Sequence, residues 1–242
     1  MKPKISVIIA TYNRPALLQR AINSVLAQTF KDFELIVVDD HSDKPPNFKL
    51  PDGEDRVVGM RLPYNTGYFV KPRNIGIMIA RGDYIAYLDD DNVYLPNHLE
   101  VLYKAITKKN ADIAYGDRVY KSTNPNEAKF MGKQSYPYNL KQINQGNYID
   151  TSDILHTIQA INDVGFWDLF WIRKADWLLM VKFGKAGMKI VHAPEVITEY
   201  WWHDDNIGQK NPLGGEFPQS TKPFRKHVVS LAGGVAKGDK KS

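Results

Sequence analysis

Cysteine is absent from the 242 residues. Disulfides and thiolate metal sites are thereby excluded, and a reducing compartment fits, so a cytoplasmic protein is expected. No stretch approaches the ~20 apolar residues of a membrane-spanning helix, and none is expected. The run Ile5 to Ala10 is too short for a secretory leader and leads straight into polar residues. Glycine-rich phosphate loops are also missing. There is no G-x-x-x-x-G-K-[ST], and no G-x-G-x-x-G follows the first apolar run. Phosphate recognition would have to rest on a metal and on basic residues such as Arg14, Lys71 or Arg73. A strong charge excess is lacking too. The net charge is +5, the basic residues are spread, and no nucleic-acid module is recognisable, so no nucleic-acid partner is expected. Part of the surplus lies in residues 221–242. Such a basic tail is ordinarily a solvated terminus, and its alternative use is peripheral contact with an anionic membrane.

What is present describes a globular chain, with 43% hydrophobic and 24% charged residues. The first third alternates strand and helix signals. "ISVIIA", "FELIVVDD", "RVVGMRL", "GDYIAYLDDD" and "ADIAYG" read as strands. "RPALLQRAINSVLAQ", "PRNIGIMIA" and "PNHLEVLYKAITKKN" read as helices. Continuous apolar strands separated by helices predict an α/β fold with a mostly parallel central sheet covered on both faces. From about Ser122 the rhythm breaks. Residues 122–147 are polar, with weak periodicity, and read as surface connection or an irregular insertion. "ADWLLMVKFGKAGM" is a helix, and "KIVHAPEVITEYWWH" contains a strand. The expected organisation is a nucleotide-type half, residues 1–117, and a smaller α+β half of the same domain, residues 118–220, which the family resemblance described below makes the acceptor-binding half. The tail 221–242 follows.

Ligands of an open parallel sheet bind beyond the carboxyl ends of its strands. Four strand ends carry polar groups there: Thr11, Tyr12, Asn13 and Arg14; Asp39 and Asp40; the loop "PYNTGYFVKPRN"; and Asp89, Asp90 and Asp91. One aspartate at a strand end is commonly a cap or turn residue. Four such clusters on consecutive strands point to a site. Three adjacent carboxylates call for a hard cation bound through oxygen, Mg²⁺ or Mn²⁺. Such an ion takes one or two carboxylates and leaves places for phosphate, so a metal–diphosphate ligand is expected. Strand alternation would turn Asp89 and Asp91 to one side and Asp90 to the other.

These residues carry a family resemblance. "ISVIIATYNRPALLQRAINSVLAQTFKDFELIVVDDHSD" resembles the opening of the family 2 glycosyltransferases of the GT-A (nucleotide-diphospho-sugar transferase) fold. "NTGYFVKPRNIGIMIARGDYIAYLDDDNVYLP" is similar to their second signature, which ends in the D-x-D region. "VGFWDLFWIRKADWLLMVKFGKAG" resembles the third more loosely. The likeness covers about residues 4–205, and "DDDNVYLPNHL" is similar to the spore-coat polysaccharide branch. The resemblance implies transfer of a sugar from a UDP- or dTDP-sugar to an acceptor hydroxyl, with inversion and with Mn²⁺ or Mg²⁺, in polysaccharide or glycoconjugate synthesis. The acceptor would be a glycan, a lipid-linked molecule or a protein.

It also implies roles. Thr11 and Tyr12 would line the base, with Asn13 and Arg14 beside them. Asp39 would accept from a pyrimidine N–H. Asn65 and Arg73 would lie near base or diphosphate. Asp90 would bind ribose or sugar, Asp91 would ligate the metal, and Asp89 would share either task. His203 would add a metal or phosphate contact. Asp176 would be the catalytic base; the family often has Glu-Asp here, and this chain has Ala175-Asp176. Trp167, Trp171, Trp201 and Trp202 stand equally for acceptor stacking and for core. Two other readings remain: a sugar-phosphate nucleotidyltransferase, which normally carries a lysine-bearing glycine loop, and a catalytically inactive nucleotide-sugar-binding protein.

Overall fold

The computed structural model describes residues 2–122, 133–171 and 174–202, Trp202 as backbone only. The elements follow in the order β1 (Ile5–Thr11), α1 (Pro15–Leu26), β2 (Phe33–Asp39), β3 (Val57–Arg61), α2 (Val70–Ile79), β4 (Tyr84–Tyr87), β5 (Val93–Tyr94), α3 (His98–Lys109) and β6 (Ile113–Ser122). Then come β7 (Lys133–Gln134), α4 (Leu140–Ile143), a 3-10 turn (Thr151–Asp153), β8 (Ile154–Thr157), α5 (Ile158–Val164), α6 (Ala175–Lys185) and β9 (Ile190–Trp202).

The described strands form one sheet in the order β3-β2-β1-β4-β8-β6-β9-β5, with β7 alongside β6. Its first four strands are parallel, as their apolar runs predict. Beyond β4 the sheet is mixed. β8 runs antiparallel to both β4 and β6, and β9 returns parallel to β6. β6 runs through residue 117, with a register shift against β9 there, and strands from both expected halves share one sheet. The tail 221–242 lies outside the described residues.

Side chains alternate across the sheet. Ile5, Val7 and Ile9 pack with Leu18, Ile22 and Val25 of α1 and with Leu99, Leu102 and Ile106 of α3. Ile8, Ile36 and Val38 face the opposite core, with Ile77 of α2, Ile161 of α5 and Leu178 and Val181 of α6. Pro15 opens α1, where a missing N–H costs nothing. Helix α2 lies close on the sheet: a Cβ at Gly76 would stand 2.6 Å from Ile8 Cγ2. That approach brings Arg73, three residues earlier, to the carboxyl edge of the strands. Residues 133–147, the described part of the polar stretch, are less irregular than their composition predicts. Within them, β7 pairs with β6. Helix α4 is tied to α6 through the Trp177 indole, which donates to the Ile143 carbonyl.

Candidate active site

A cleft of about 1040 Å³ opens at the carboxyl ends of β1, β2 and β4. Eleven of the residues singled out above line it: Thr11, Tyr12, Asn13, Arg14, Asp40, Asn65, Arg73, Asp89, Asp90, Asp91 and Asp176. Asp39 does not. It lies at the end of β2, 2% exposed, and Oδ1 accepts from Ser42 N at 3.1 Å and Ser42 Oγ at 2.5 Å. Its Oδ2 faces Arg61 Nε at 3.6 Å and has no hydrogen-bond partner. The next residue, Asp40, reaches the cleft and holds the loop over it. Its Oδ1 accepts from Thr66 N at 3.0 Å and Thr66 Oγ1 at 2.8 Å, and its carbonyl accepts from Asn65 Nδ2 at 2.9 Å. Lys71 turns to the Tyr64 hydroxyl, at 2.8 Å. His203 falls outside the described residues.

Strand β1 ends in a loop that the sequence shapes locally. Asn13 adopts φ 55°, a left-handed backbone that asparagine tolerates. Its amide side chain and backbone N–H then tie the loop to residues 42–43 after β2. Arg14 follows at the start of α1.

The three adjacent carboxylates do not alternate. β4 ends at Tyr87, so Asp89–Asp91 lie in a turn beyond strand geometry. Asp90 and Asp91 share one partner: Arg14 Nη1 is 3.1 Å from Asp90 Oδ1 and 2.9 Å from Asp91 Oδ2. Thr11 Oγ1 adds a 2.8 Å bond to Asp90 Oδ2. Asp89 pairs instead with Arg73, whose guanidinium lies 3.9 Å from the Phe69 ring centre and 4.8 Å from that of Trp167. Their mutual repulsion is thus relieved in part by two arginines. Arg73 is 4% exposed, and its Nη1 has no hydrogen-bond partner at the wall of the cleft. Burial pushes the Asp90 carboxyl up to about 6 against the pull of Arg14. Burial likewise raises Asp89, with Asp150, Asp91 and Asp90 adding to it and Arg73 opposing.

The other side of the cleft comes from the second half. Lys174, in a left-handed conformation, leads into α6, and Asp176 sits in its first turn, where the helix dipole favours a carboxylate. Asp176 Oδ2 accepts from Asn147 Nδ2 at 2.6 Å. Burial and the nearby Asp150 nonetheless push its carboxyl up to about 6. Asp150 also lines the cleft, and its side chain caps the 3-10 turn through Ser152 N at 2.9 Å. Asn147 and Asp150 line the cleft without being singled out by any motif of the sequence. Their available signal was the polar string "NQGNYIDTSD", an aspartate and an asparagine beside a short buried strand. Trp167 belongs to the core, 2% exposed and edge-on to Tyr87. Trp201 stacks on Arg20 at 4.5 Å.

The donor set suits a hard cation in part. Two carboxylate oxygens converge on one positively charged nitrogen, so a cation of that region would meet both. Among the described residues no group of three or more His, Cys, Asp or Glu side chains forms a ready cage. Waters and phosphate oxygens would complete such a shell, as is usual for magnesium-like ions.

Residues 6–170 match the family model described as "Glycosyl transferase family 2". The chain belongs to glycosyltransferase family 2. Over 139 residues, 56% of this chain and 53% of the other, it is 32% identical to the UDP-Glc:alpha-D-GlcNAc-diphosphoundecaprenol beta-1,3-glucosyltransferase WfgD of Escherichia coli. It is 37% identical to the poly(ribitol-phosphate) beta-N-acetylglucosaminyltransferase TarP of Staphylococcus aureus, over 47% of this chain and 36% of that one. The chain spans about half, or less, of these relatives' lengths. S. aureus TarS 1–349 in complex with UDP-GlcNAc has a TM-score of 0.70 at 18% identity, covering 95% of this chain and 65% of that one. The fold is GT-A. Among the described residues no helix is long and apolar enough to cross a membrane.

Proposed function

We propose that this family 2 glycosyltransferase is a metal-dependent inverting enzyme that moves a sugar from a UDP- or dTDP-sugar to an acceptor hydroxyl. The observation that carries the reading is one cleft lined both by Asp89–Asp91 with their arginines and by Asp176 with its raised pKa. Relatives and solved neighbours whose names include UDP-glucose and UDP-GlcNAc support a UDP-sugar donor. Relatives acting on lipid-linked and polymeric acceptors support glycan synthesis and a glycan or lipid-linked acceptor.

Inverting transfer is a single in-line displacement. The acceptor oxygen bonds to the anomeric carbon as the bond from that carbon to the diphosphate breaks, and the electron pair leaves with the diphosphate. Asp176 takes the hydroxyl proton. A carboxyl pKa near 6 keeps it ionised at neutral pH and makes it a better base than an ordinary aspartate. Asn147 fixes the orientation of that carboxylate. Arg73, paired with Asp89 at the cleft wall, would lie near the base or diphosphate of the donor. Asp91 would hold the metal, with Asp89 or Asp90 as a second oxygen donor. When bound, the metal neutralises the charge that develops on the leaving diphosphate.

The test is transfer from a panel of nucleotide sugars, with Mn²⁺, with Mg²⁺ and with chelator, followed by the anomeric configuration of the product. Inverted product formed only with metal is expected. A retained configuration overturns the single displacement, and equal rates with chelator overturn the metal.

A further inference from the structure

Asp91 is gripped twice by helix α1. Arg14 at the helix start holds its carboxylate. Arg20, six residues on and about 9 Å further along the axis, donates from Nη2 to its backbone carbonyl at 2.6 Å. The two grips differ in kind. The carboxylate contact takes Asp91 Oδ2, an oxygen that a cation could use. The carbonyl contact leaves it alone.

Arg20 is itself fixed from behind. Its guanidinium lies 4.5 Å from the ring centre of Trp201, near the end of β9. Trp201 N donates to Asn92 Oδ1 at 3.1 Å, and Asn92, fully buried, donates from Nδ2 to Ser152 Oγ at 3.2 Å. The same hydroxyl accepts from Asp89 N at 3.2 Å. The turn 89–92 is thereby pinned by α1, by β9 and by the 3-10 turn before β8.

We propose that Arg20 is a positioning residue that holds Asp91 in place while Arg14 releases it to a divalent cation and diphosphate. The inference rests on Asp91 as the metal–donor residue. Arg14 Nη1 sits against Asp90 Oδ1 and Asp91 Oδ2, so a dication that takes those oxygens competes with it. Without the carbonyl grip, the backbone at Asp91 would lose one of its anchors while those at Asp89 and Asn92 stay, and more of the ordering cost would fall on donor binding. Lysine replaces this group only in part, because it keeps the charge and loses the guanidinium contact on the Trp201 ring.

The experiment compares Arg20→Met, Arg20→Lys and Arg14→Met with the wild-type chain. The first readout is hydrogen–deuterium exchange of the ligand-free protein, with peptides of β1 and β2 as internal reference. Arg20→Met is expected to raise exchange in residues 89–95 while the reference peptides stay protected. Unchanged exchange there overturns the proposal. The second readout is Mn²⁺-assisted UDP binding. Arg20→Met should weaken it about 10–100-fold, as loss of a group that orients a metal ligand does, with Arg20→Lys in between. Arg14→Met should leave Mn²⁺ affinity equal or tighter. If the two methionine variants weaken Mn²⁺ binding alike, the division of labour is wrong. In kinetics, Arg20→Met should raise the donor KM and spare kcat; a fall in kcat alone overturns positioning. A wild-type chain without metal-assisted UDP binding would sink the donor reading and with it this role, whatever the exchange result.

Discussion

Asn147 Nδ2 and Asp176 Oδ2 lie 2.6 Å apart and 29 residues apart in sequence. The bond joins the loop before the 3-10 turn to the first turn of α6, and it favours the ionised carboxylate. Asp176→Asn should therefore keep nucleotide affinity and lose transfer, by about 10²–10⁴-fold for a positioned base. Isothermal titration with UDP beside a transfer assay checks the pair. Normal transfer by this variant would reduce Asp176 to a helix-start carboxylate.

The same pair sets a pH profile. With Asp176 at about 6, kcat/KM should fall on the acid side as the base protonates near that pH. Asn147→Ala removes a donor to the charged form, so the carboxyl pKa must rise further. The acid limb should move to higher pH, and the plateau should fall as the carboxylate loses the bond that orients it. A limb that stays put, or moves down, contradicts the assignment.

Asp176 should also cost stability at neutral pH. Its folded pKa, about 6, lies above the ordinary value of 3.8. The folded state thus holds the proton more tightly than the unfolded chain. Stability from this group is fullest below 3.8 and is lost as pH rises through 6. Asp176→Asn is expected to stabilise the protein at pH 8 by on the order of 1–2 kcal/mol after solvent screening in the open cleft. The gain should vanish near pH 3.5. Denaturant melts at both pH values measure it, and a pH-independent difference would be a packing effect.

The strand–helix order through α3, apart from the two-residue β5, was readable because buried parallel strands are apolar runs and their helices keep a 3.6 period. Strand β8 was not readable. Ile154–Thr157 is four residues long, carries a buried His156 bonded to the Tyr87 hydroxyl, and owes its burial to β4 and β6 on either side. The acid cluster was visible, but its arginine partners were not. Arg14–Asp90 and Arg73–Asp89 depend on where α1 and α2 meet the sheet edge. Strand parity failed for Asp89–Asp91 because the strand had already ended. Asn147 and Asp150 looked like surface residues since only the fold shows which loop covers the cleft.

Asp91→Asn should abolish the gain in UDP affinity that Mn²⁺ or Mg²⁺ brings and should lose transfer as well. The contrast with Asp176→Asn separates donor side from acceptor side. Titration of UDP with each metal and with chelator reads it directly. Metal enhancement that survives the substitution would move the ligand role to Asp89 or Asp90.

Base selection is the last expectation. Tyr12, 44% exposed at the cleft, offers a ring face that any base can use, so stacking alone gives affinity and little choice. Choice needs a buried polar group. Asp39 has one acceptor, Oδ2, without a hydrogen-bond partner, and the N3–H of uracil or thymine is a donor of the right kind. Asp39 is not on the cleft wall in this structure, so the loop at Asn13 or Asp40 must shift for the base to reach it. Competition among UDP, dTDP, GDP and ADP should favour the two pyrimidines. Asp39→Asn should narrow that preference, with UDP weakened about 10-fold or more by loss of a charged acceptor, and Arg61→Met serves as control for the loss of the Asp39 ion pair. A wild-type preference for GDP or ADP, or an Asp39→Asn variant that matches Arg61→Met, would take base recognition away from Asp39.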